Sequence, residues 1–214
     1  MNCCNPIQYD TGRLFGWFAV PYRLRHRLFG FEKTQRQLIE GIKQVGIDDM
    51  ELLEIGCGPG YLHQSLLRDG AASAVGVDLS TGMLDEARKS AKAAGLEACI
   101  DYWQGDFVRL AEDIPDADIT IMDKVVCCYP DWESLLDLSL RKTRRIYALT
   151  YPRDRLTTRV GERLLHWGMQ LIHCCYQPYI HDPEKIRQCI LEHGFQMKYH
   201  ALTSSWHTQV FMRT

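Results

Sequence analysis

Short apolar runs alternate along the chain with stretches whose apolar residues recur every three or four positions. Met50–Ile55 is the first run and predicts a buried strand. Ala74–Val77, Cys99–Trp103, Asp118–Met122 and Arg145–Thr150 predict four more, the last ending at Tyr151-Pro152. The stretches between them predict helices. Glu32–Val45 places Leu38, Ile42 and Val45 on one side and stops at Gly46. Tyr61–Arg68 turns Leu62, Leu66 and Leu67 inward. Ser80 caps a helix to about Ala94 whose apolar side is Met83, Leu84, Ala87 and Ala91, and Trp132–Leu140 completes the series. Strand–helix alternation of this kind predicts a doubly wound α/β sheet, mostly parallel.

Both ends of the chain depart from that rhythm. Asp154–Cys174 predicts a helix longer than a crossover needs. Pro183–His193 predicts another, with Ile186, Ile190 and Leu191 inward and Gly194 as its stop. Phe195–Ala201 and Trp206–Met212, joined by residues 202–205, then read as an antiparallel hairpin, which brings the sheet to seven strands. At the other end, residues 11–29 mix Phe15, Trp17, Phe18, Tyr22 and Phe29 with arginines, and Pro21 is expected to split the segment into two short helices or to kink one. Three readings of this segment stay open: an amphipathic helix packed on the main body, a lid over a site, or a helix lying on a membrane surface. Without repeats or linkers, residues 1–214 are expected to form one domain, with 1–46 as a helical lid and 154–174 as a helical insertion after the fifth strand.

Composition narrows the function classes. Apolar residues make up 46% and charged residues 24% of 214, and the net charge is −2. A strong general attraction to nucleic acid is not expected from that balance. No run reaches the about 18 apolar residues of a spanning helix, and Leu14–Val20 does not resemble a signal peptide, so a cytoplasmic protein without stable membrane insertion is expected. The nine cysteines include the pairs Cys3-Cys4, Cys127-Cys128 and Cys174-Cys175. They show no C-x-x-C spacing, which favours free thiols over a zinc site or a disulfide framework.

The chemistry gathers where ligands of open α/β sheets bind, beyond the carboxyl ends of the strands. Glu54-Ile55-Gly56-Cys57-Gly58-Pro59-Gly60 follows the first strand, Asp78 the second and Gly105-Asp106-Phe107 the third. A carboxylate at Asp78 suits two ribose hydroxyls. Asp106, or the backbone beside it, suits an exocyclic adenine amine. Leu79, Met83 and Phe107 suit the flat faces of the base. Glu54 stands where it could hold the loop or meet an ammonium group through a water. A dinucleotide loop needs G-x-G-x-x-G, but here Tyr61 occupies the third glycine's place and Gly60 comes one position early.

The spacing E-x-G-x-G-x-G, with Asp78 and Asp106 following in order, resembles the first motifs of class I S-adenosylmethionine-dependent methyltransferases. The resemblance implies a Rossmann-like methyltransferase sheet, S-adenosyl-L-methionine as cofactor and a cofactor site made by Glu54, Gly56, Cys57, Gly58, Gly60, Asp78, Leu79, Met83, Asp106, Phe107 and Asp123, without a metal. Asp123-Lys124-Val125-Val126-Cys127-Cys128-Tyr129-Pro130-Asp131 looks similar to the fourth-strand region of magnesium-protoporphyrin O-methyltransferases and of a bacterial group of such enzymes. The match covers residues 30–150. The C-terminal third agrees only in layout, so a porphyrin acceptor is not carried over.

For the acceptor side, Asp123, Tyr129 and Tyr22 are expected to line the reaction centre. Arg153, His166, His173 and the Cys127-Cys128 pair are weaker candidates, with helix histidines, a surface ion pair and packed thiols as their plainer roles. Aromatic residues at Trp17, Phe18, Trp167, Tyr176 and Tyr179 predict that both terminal additions cover an apolar pocket. The expected activity is methylation of an oxygen, sulfur or nitrogen of a small, partly apolar molecule, a small thiol or sulfide included. A binding module that has lost catalysis, a nicotinamide dehydrogenase and a nucleic-acid methyltransferase are the competing classes. The last lacks its Asn/Asp-Pro-Pro-Tyr/Phe type signature after the fourth strand.

Overall fold

A computed structural model describes residues 6–171 and 177–214, with the side chains of 6–11, 165 and 171 excepted. Seven strands form one sheet: β1 (Glu51–Ile55), β2 (Ser73–Asp78), β3 (Ile100–Gln104), β4 (Ala117–Asp123), β5 (Thr143–Pro152), β6 (Phe195–Leu202) and β7 (Trp206–Arg213). Their order is β3-β2-β1-β4-β5-β7-β6. The first five run parallel, and β7 lies antiparallel between β5 and β6. The expected Rossmann-like sheet with a C-terminal hairpin is therefore what the chain forms.

Period-two alternation explains the layering. On β5, Ile146 and Ala148 join Leu52, Ile119 and Ile121 on one face of the sheet. Tyr147, Leu149 and Tyr151 join Leu53, Ile55 and Met122 on the other. Helices α2 (Lys33–Val45) and α3 (Tyr61–Arg68) cover the first face with Leu38, Ile42, Leu62 and Leu66. Helices α5 (Phe107–Leu110), α6 (Trp132–Arg141) and α8 (Pro183–Glu192) cover the second, through Phe107, Leu136, Leu140, Ile186 and Ile190. Helix α4 (Thr81–Ala93) starts where Ser80 Oγ accepts from the Met83 N–H, the cap the sequence predicts.

The N-terminal segment is a single helix, α1 (Pro6–Phe29), which continues through Pro21, so of the two expected forms the split into two short helices is not the one adopted. It packs on α4: a Cβ at Gly82 would lie 3.1 Å from the Gly16 Cα. The segment after β5 forms α7 (Leu156–Leu171), and the expected extension to Cys174 lies outside the described residues. So do Cys3-Cys4, His173, Cys175 and Tyr176.

Strand order reverses at β1, which pairs with both β2 and β4. The loops leaving β1 and β4 flank that switch point, where the fold opens a crevice for a ligand.

Candidate active site

A cavity of about 440 Å³ opens at the switch point, and its wall is mostly apolar. The glycine loop forms one side. Gly56 has φ +65° and would bring a Cβ within 2.5 Å of Val125 Cγ2, so the β1 and β4 loops touch through a position that admits no side chain. Gly58 has φ +53° and nothing within 4 Å of where a Cβ would stand, leaving its backbone open to a ligand.

Asp78 ends β2 beside this loop. Its Oδ2 accepts from the Gly58 N–H at 2.8 Å and its Oδ1 from the Ser80 N–H at 2.8 Å. An ionised carboxylate offers about four lone-pair sites, so two remain for a diol. Removal from water within the cavity pushes its pKa up to about 6, against the pull of the two N–H groups. Leu79, Met83 and Phe107 line the wall nearby.

Glu54 and Asp106 are more committed than the sequence suggests. Glu54 is buried, and its Oε2 accepts from the His63 backbone N–H at 3.2 Å and meets His63 Nδ1 at 2.5 Å. His63 Nε2 in turn lies 3.0 Å from the Tyr102 hydroxyl. Of the two roles expected for Glu54, holding the loop is the one its contacts display. Asp106 caps α5 through the Val108 N–H at 3.2 Å, and the Tyr129 hydroxyl donates to its two oxygens at 2.8 and 3.0 Å. The backbone beside Asp106 is thus freer to meet a ligand amine than its side chain. Tyr129 lines the cavity, but its hydroxyl is spent on Asp106 rather than left open for an acceptor.

Asp123 ends β4 and faces the glycine loop across the crevice. Its Oδ1 accepts from Thr150 Oγ1 at 2.6 Å and its Oδ2 from Gln35 Nε2 at 3.1 Å. Burial, the largest effect on it, raises its pKa, with Lys124, Thr150 and Gln35 pulling the other way. Gln35 also donates to the Tyr22 hydroxyl at 2.9 Å, while its Oε1 accepts from the Glu32 N–H at 3.1 Å. That last bond fixes which way the amide points. With both Gln35 hydrogens given away, Tyr22 keeps its own hydroxyl hydrogen to donate into the cavity it lines. Desolvation raises the Tyr22 pKa, so the hydroxyl stays protonated.

Sequence reasoning missed Gln35, Glu32, Lys124 and Arg25. Gln35 is the third residue of a helix whose N-cap is Glu32, and Glu-x-x-Gln at a helix start is a legible capping signal. Lys124 adopts φ +61°, an uncommon conformation for a residue with a side chain. Its N–H donates to Thr150 Oγ1 at 2.8 Å, and its ammonium pairs with Glu32. Arg25 pairs with the same carboxylate at 3.1 Å, and both cations line the cavity.

Other candidates lie elsewhere. Arg153 is tied to the β6–β7 turn, donating to the Thr203 carbonyl at 2.9 Å, so it does not serve the cavity. His166 bonds Gln170 on the surface of α7 at 2.9 Å. Cys128 lines the cavity beside the buried Cys127, and both thiols donate to the Lys124 carbonyl. The hydrogen-bonded Cys128 thiol, and burial after it, raise the Cys127 thiol pKa well above the ordinary range. No described residue of α7 lines the cavity, and Trp167 is 62% exposed, so the expected cover from this helix is not formed. Tyr179 instead anchors the loop before α8, its N–H donating to the Cys127 carbonyl at 2.7 Å. Among the described residues no cluster of three metal-ligating side chains occurs, and no helix is long and apolar enough to cross a membrane.

A glycine loop and two strand-end carboxylates around one crevice define a nucleoside-binding α/β protein. Residues 52–145 match the family described as the methyltransferase domain. The fold superposes on magnesium protoporphyrin IX methyltransferase from Synechocystis PCC 6803 with bound S-adenosylmethionine, with a TM-score of 0.71 at 16% identity over 100% of each chain. The ubiquinone biosynthesis O-methyltransferase of Azorhizobium caulinodans is 33% identical over 126 residues, 59% of this chain and 42% of that one. The enzyme of the same name from Actinobacillus pleuropneumoniae serotype 7 is 40% identical over 70 residues, 31% and 29% of the two chains. The chain thus spans less than half the length of these curated relatives. Residues 52–145 thus match a methyltransferase domain, and the chain as a whole shares the fold of an enzyme whose structure holds S-adenosylmethionine.

Proposed function

We propose that the protein methylates a protonated oxygen or sulfur on a small, partly apolar acceptor. One observation carries the reading: the Tyr22–Gln35–Asp123 chain faces the glycine loop across a single apolar cavity. The residues present fit the donor. Two lone pairs of Asp78 remain for the ribose, Leu79, Met83 and Phe107 offer apolar faces for the base, and the open backbone at Gly58 has room for the amino-acid portion. When bound, S-adenosylmethionine supplies a methyl group already activated by a positive sulfur. What the chain adds is alignment, exclusion of water and removal of the acceptor's proton.

Asp123 is the proton acceptor in this reading. Its raised pKa makes it a better base than an exposed carboxylate, while Thr150 and Gln35 hold both oxygens in place. Tyr22 donates to the acceptor and orients it. Phe15, Phe18 and Pro21 on α1 form the lid side of the cavity and limit water. An oxygen acceptor also accords with the curated relatives' name, ubiquinone biosynthesis O-methyltransferase.

The test is production of S-adenosylhomocysteine over a panel of apolar phenols, carboxylic acids and thiols. Turnover is expected with at least one hydroxyl or thiol acceptor and is expected to fall steeply in Asp123→Asn. Calorimetric binding of S-adenosylmethionine with no turnover across the panel would favour the inactive binding module. Absence of binding would defeat both readings.

A further inference from the structure

Helix α1 has two different sides. Phe15, Phe18 and Tyr22 line the cavity, and Ala19 is buried between them. The opposite side is an apolar stripe that stays exposed among the described residues: Trp17 is 76% exposed, and Val20, Leu24 and Leu28 follow it at helical spacing. Arg13 and Arg27 flank the stripe, both exposed. Helix α7 repeats the design. Leu156, Val160, Leu164 and Trp167 form an exposed stripe at helical spacing, and Arg159 and Arg163 flank it. The two helices carry six arginines and no lysine; Arg23, Arg25 and Arg159 pair with Glu86, Glu32 and Asp154, and Arg13, Arg27 and Arg163 are exposed beside the stripes.

We infer that these two faces dock the protein on an anionic lipid surface. Exposed tryptophan and aliphatic residues flanked by cations are what an interfacial helix needs: the apolar side chains enter the boundary between headgroups and acyl chains, and the arginines meet lipid phosphates. The positive charge decides among occupants. A second copy of the chain would set an arginine-flanked stripe against its like, and like charges across an interface repel. An anionic bilayer complements each stripe. The consequence for the site is direct. The helix that would lie on the bilayer is also a wall of the cavity, so an apolar acceptor dissolved in the lipid would have a short path past Phe18 and Pro21. Docking of this kind is peripheral and involves no spanning helix.

Vesicle flotation with the full chain tests the inference without turnover, and so independently of the proposed chemistry. Vesicles of phosphatidylglycerol and phosphatidylcholine in equal parts are expected to carry the protein up the gradient, and vesicles of phosphatidylcholine alone to leave most of it behind. Trp17→Ser with Leu24→Ser should abolish flotation while leaving the circular dichroism spectrum unchanged, because both side chains are exposed. Arg27→Gln with Arg163→Gln should weaken binding by about thirtyfold and leave the apolar stripes untouched. Failure of the unaltered chain to float with anionic vesicles overturns the inference, as does flotation that survives both double variants. A dimer in free solution that the serine substitutions dissolve would assign the face to a second copy, and would overturn it as well.

Discussion

The two banks of the crevice are built on different principles. The cofactor bank is local: Asp78 reaches Gly58 and Ser80, and Glu54 reaches His63, all within one strand–loop–helix–strand passage. The bank we propose for the acceptor is assembled from afar. Gln35 on α2 reaches Asp123 at the end of β4, and Lys124 reaches back to Glu32 at the start of α2. A local site is rigid once its strands pair. A distributed one depends on how separate helices seat against the sheet.

The largest expected effect tests whether the cofactor bank carries the stability of the loop. Glu54→Ala would leave His63 buried with an unpaired ring nitrogen, and breaking a buried pair of this kind costs about 3–5 kcal/mol. Urea unfolding should show a lowered midpoint of that size. A loss below about 1 kcal/mol would mean that the pair does not anchor the loop. Next comes the acceptor bank. Asp123→Asn keeps the shape but removes the base, and kcat should fall about 100- to 1000-fold with cofactor affinity nearly unchanged. If cofactor affinity falls as far as kcat does, the two banks are not separable and the division drawn between them is wrong.

The same difference explains what could be read from the sequence. The parallel strands were legible, β1, β4 and β5 because a buried strand is a mostly apolar run, and the edge strand β3 although none of its residues is buried. Gly56, Asp78 and Asp106 were found by adjacency to these strands. Gln35 was not, although its helix was, since nothing in a run of helix residues says that one polar side chain points at a strand 88 positions away. Tyr129, expected at the centre from its position along the chain, lines the cavity, yet only the fold shows its hydroxyl turned to Asp106. Whether Pro21 splits α1 was left open by the sequence for a related reason. Proline interrupts the hydrogen-bond ladder of a helix, but a helix packed along α4 on one side can carry it. Packing between distant elements leaves no periodic trace in either.

Smaller effects bear on the cofactor bank alone. Asp78→Ala removes the acceptor of two N–H groups and of the ribose, and should weaken S-adenosylmethionine binding by about 2 kcal/mol, roughly thirtyfold, by calorimetry. Turnover at saturating cofactor should change much less, which sharpens the contrast with Asp123→Asn.

The smallest effect is a pH dependence with two opposite signs. The Asp78 carboxyl titrates near 6 in the folded chain, above its unfolded value of about 3.9. Above pH 6 it is ionised and accepts from both loop N–H groups and from a diol. Below pH 6 one oxygen becomes a donor, so cofactor affinity should fall, by about tenfold at pH 5 relative to pH 7. Stability of the cofactor-free chain should move the other way. The folded state binds this proton more tightly than the unfolded state, so the group's contribution is fully present below about pH 3.9 and is lost as pH rises through 6. Calorimetry from pH 5 to 8 separates the two, with Asp78→Asn as the control that cannot titrate. The variant should bind more weakly at neutral pH and show a flat profile. A profile equally steep in Asp78→Asn would move the titrating group elsewhere, and the cofactor bank would then owe its pH response to a residue outside the glycine loop.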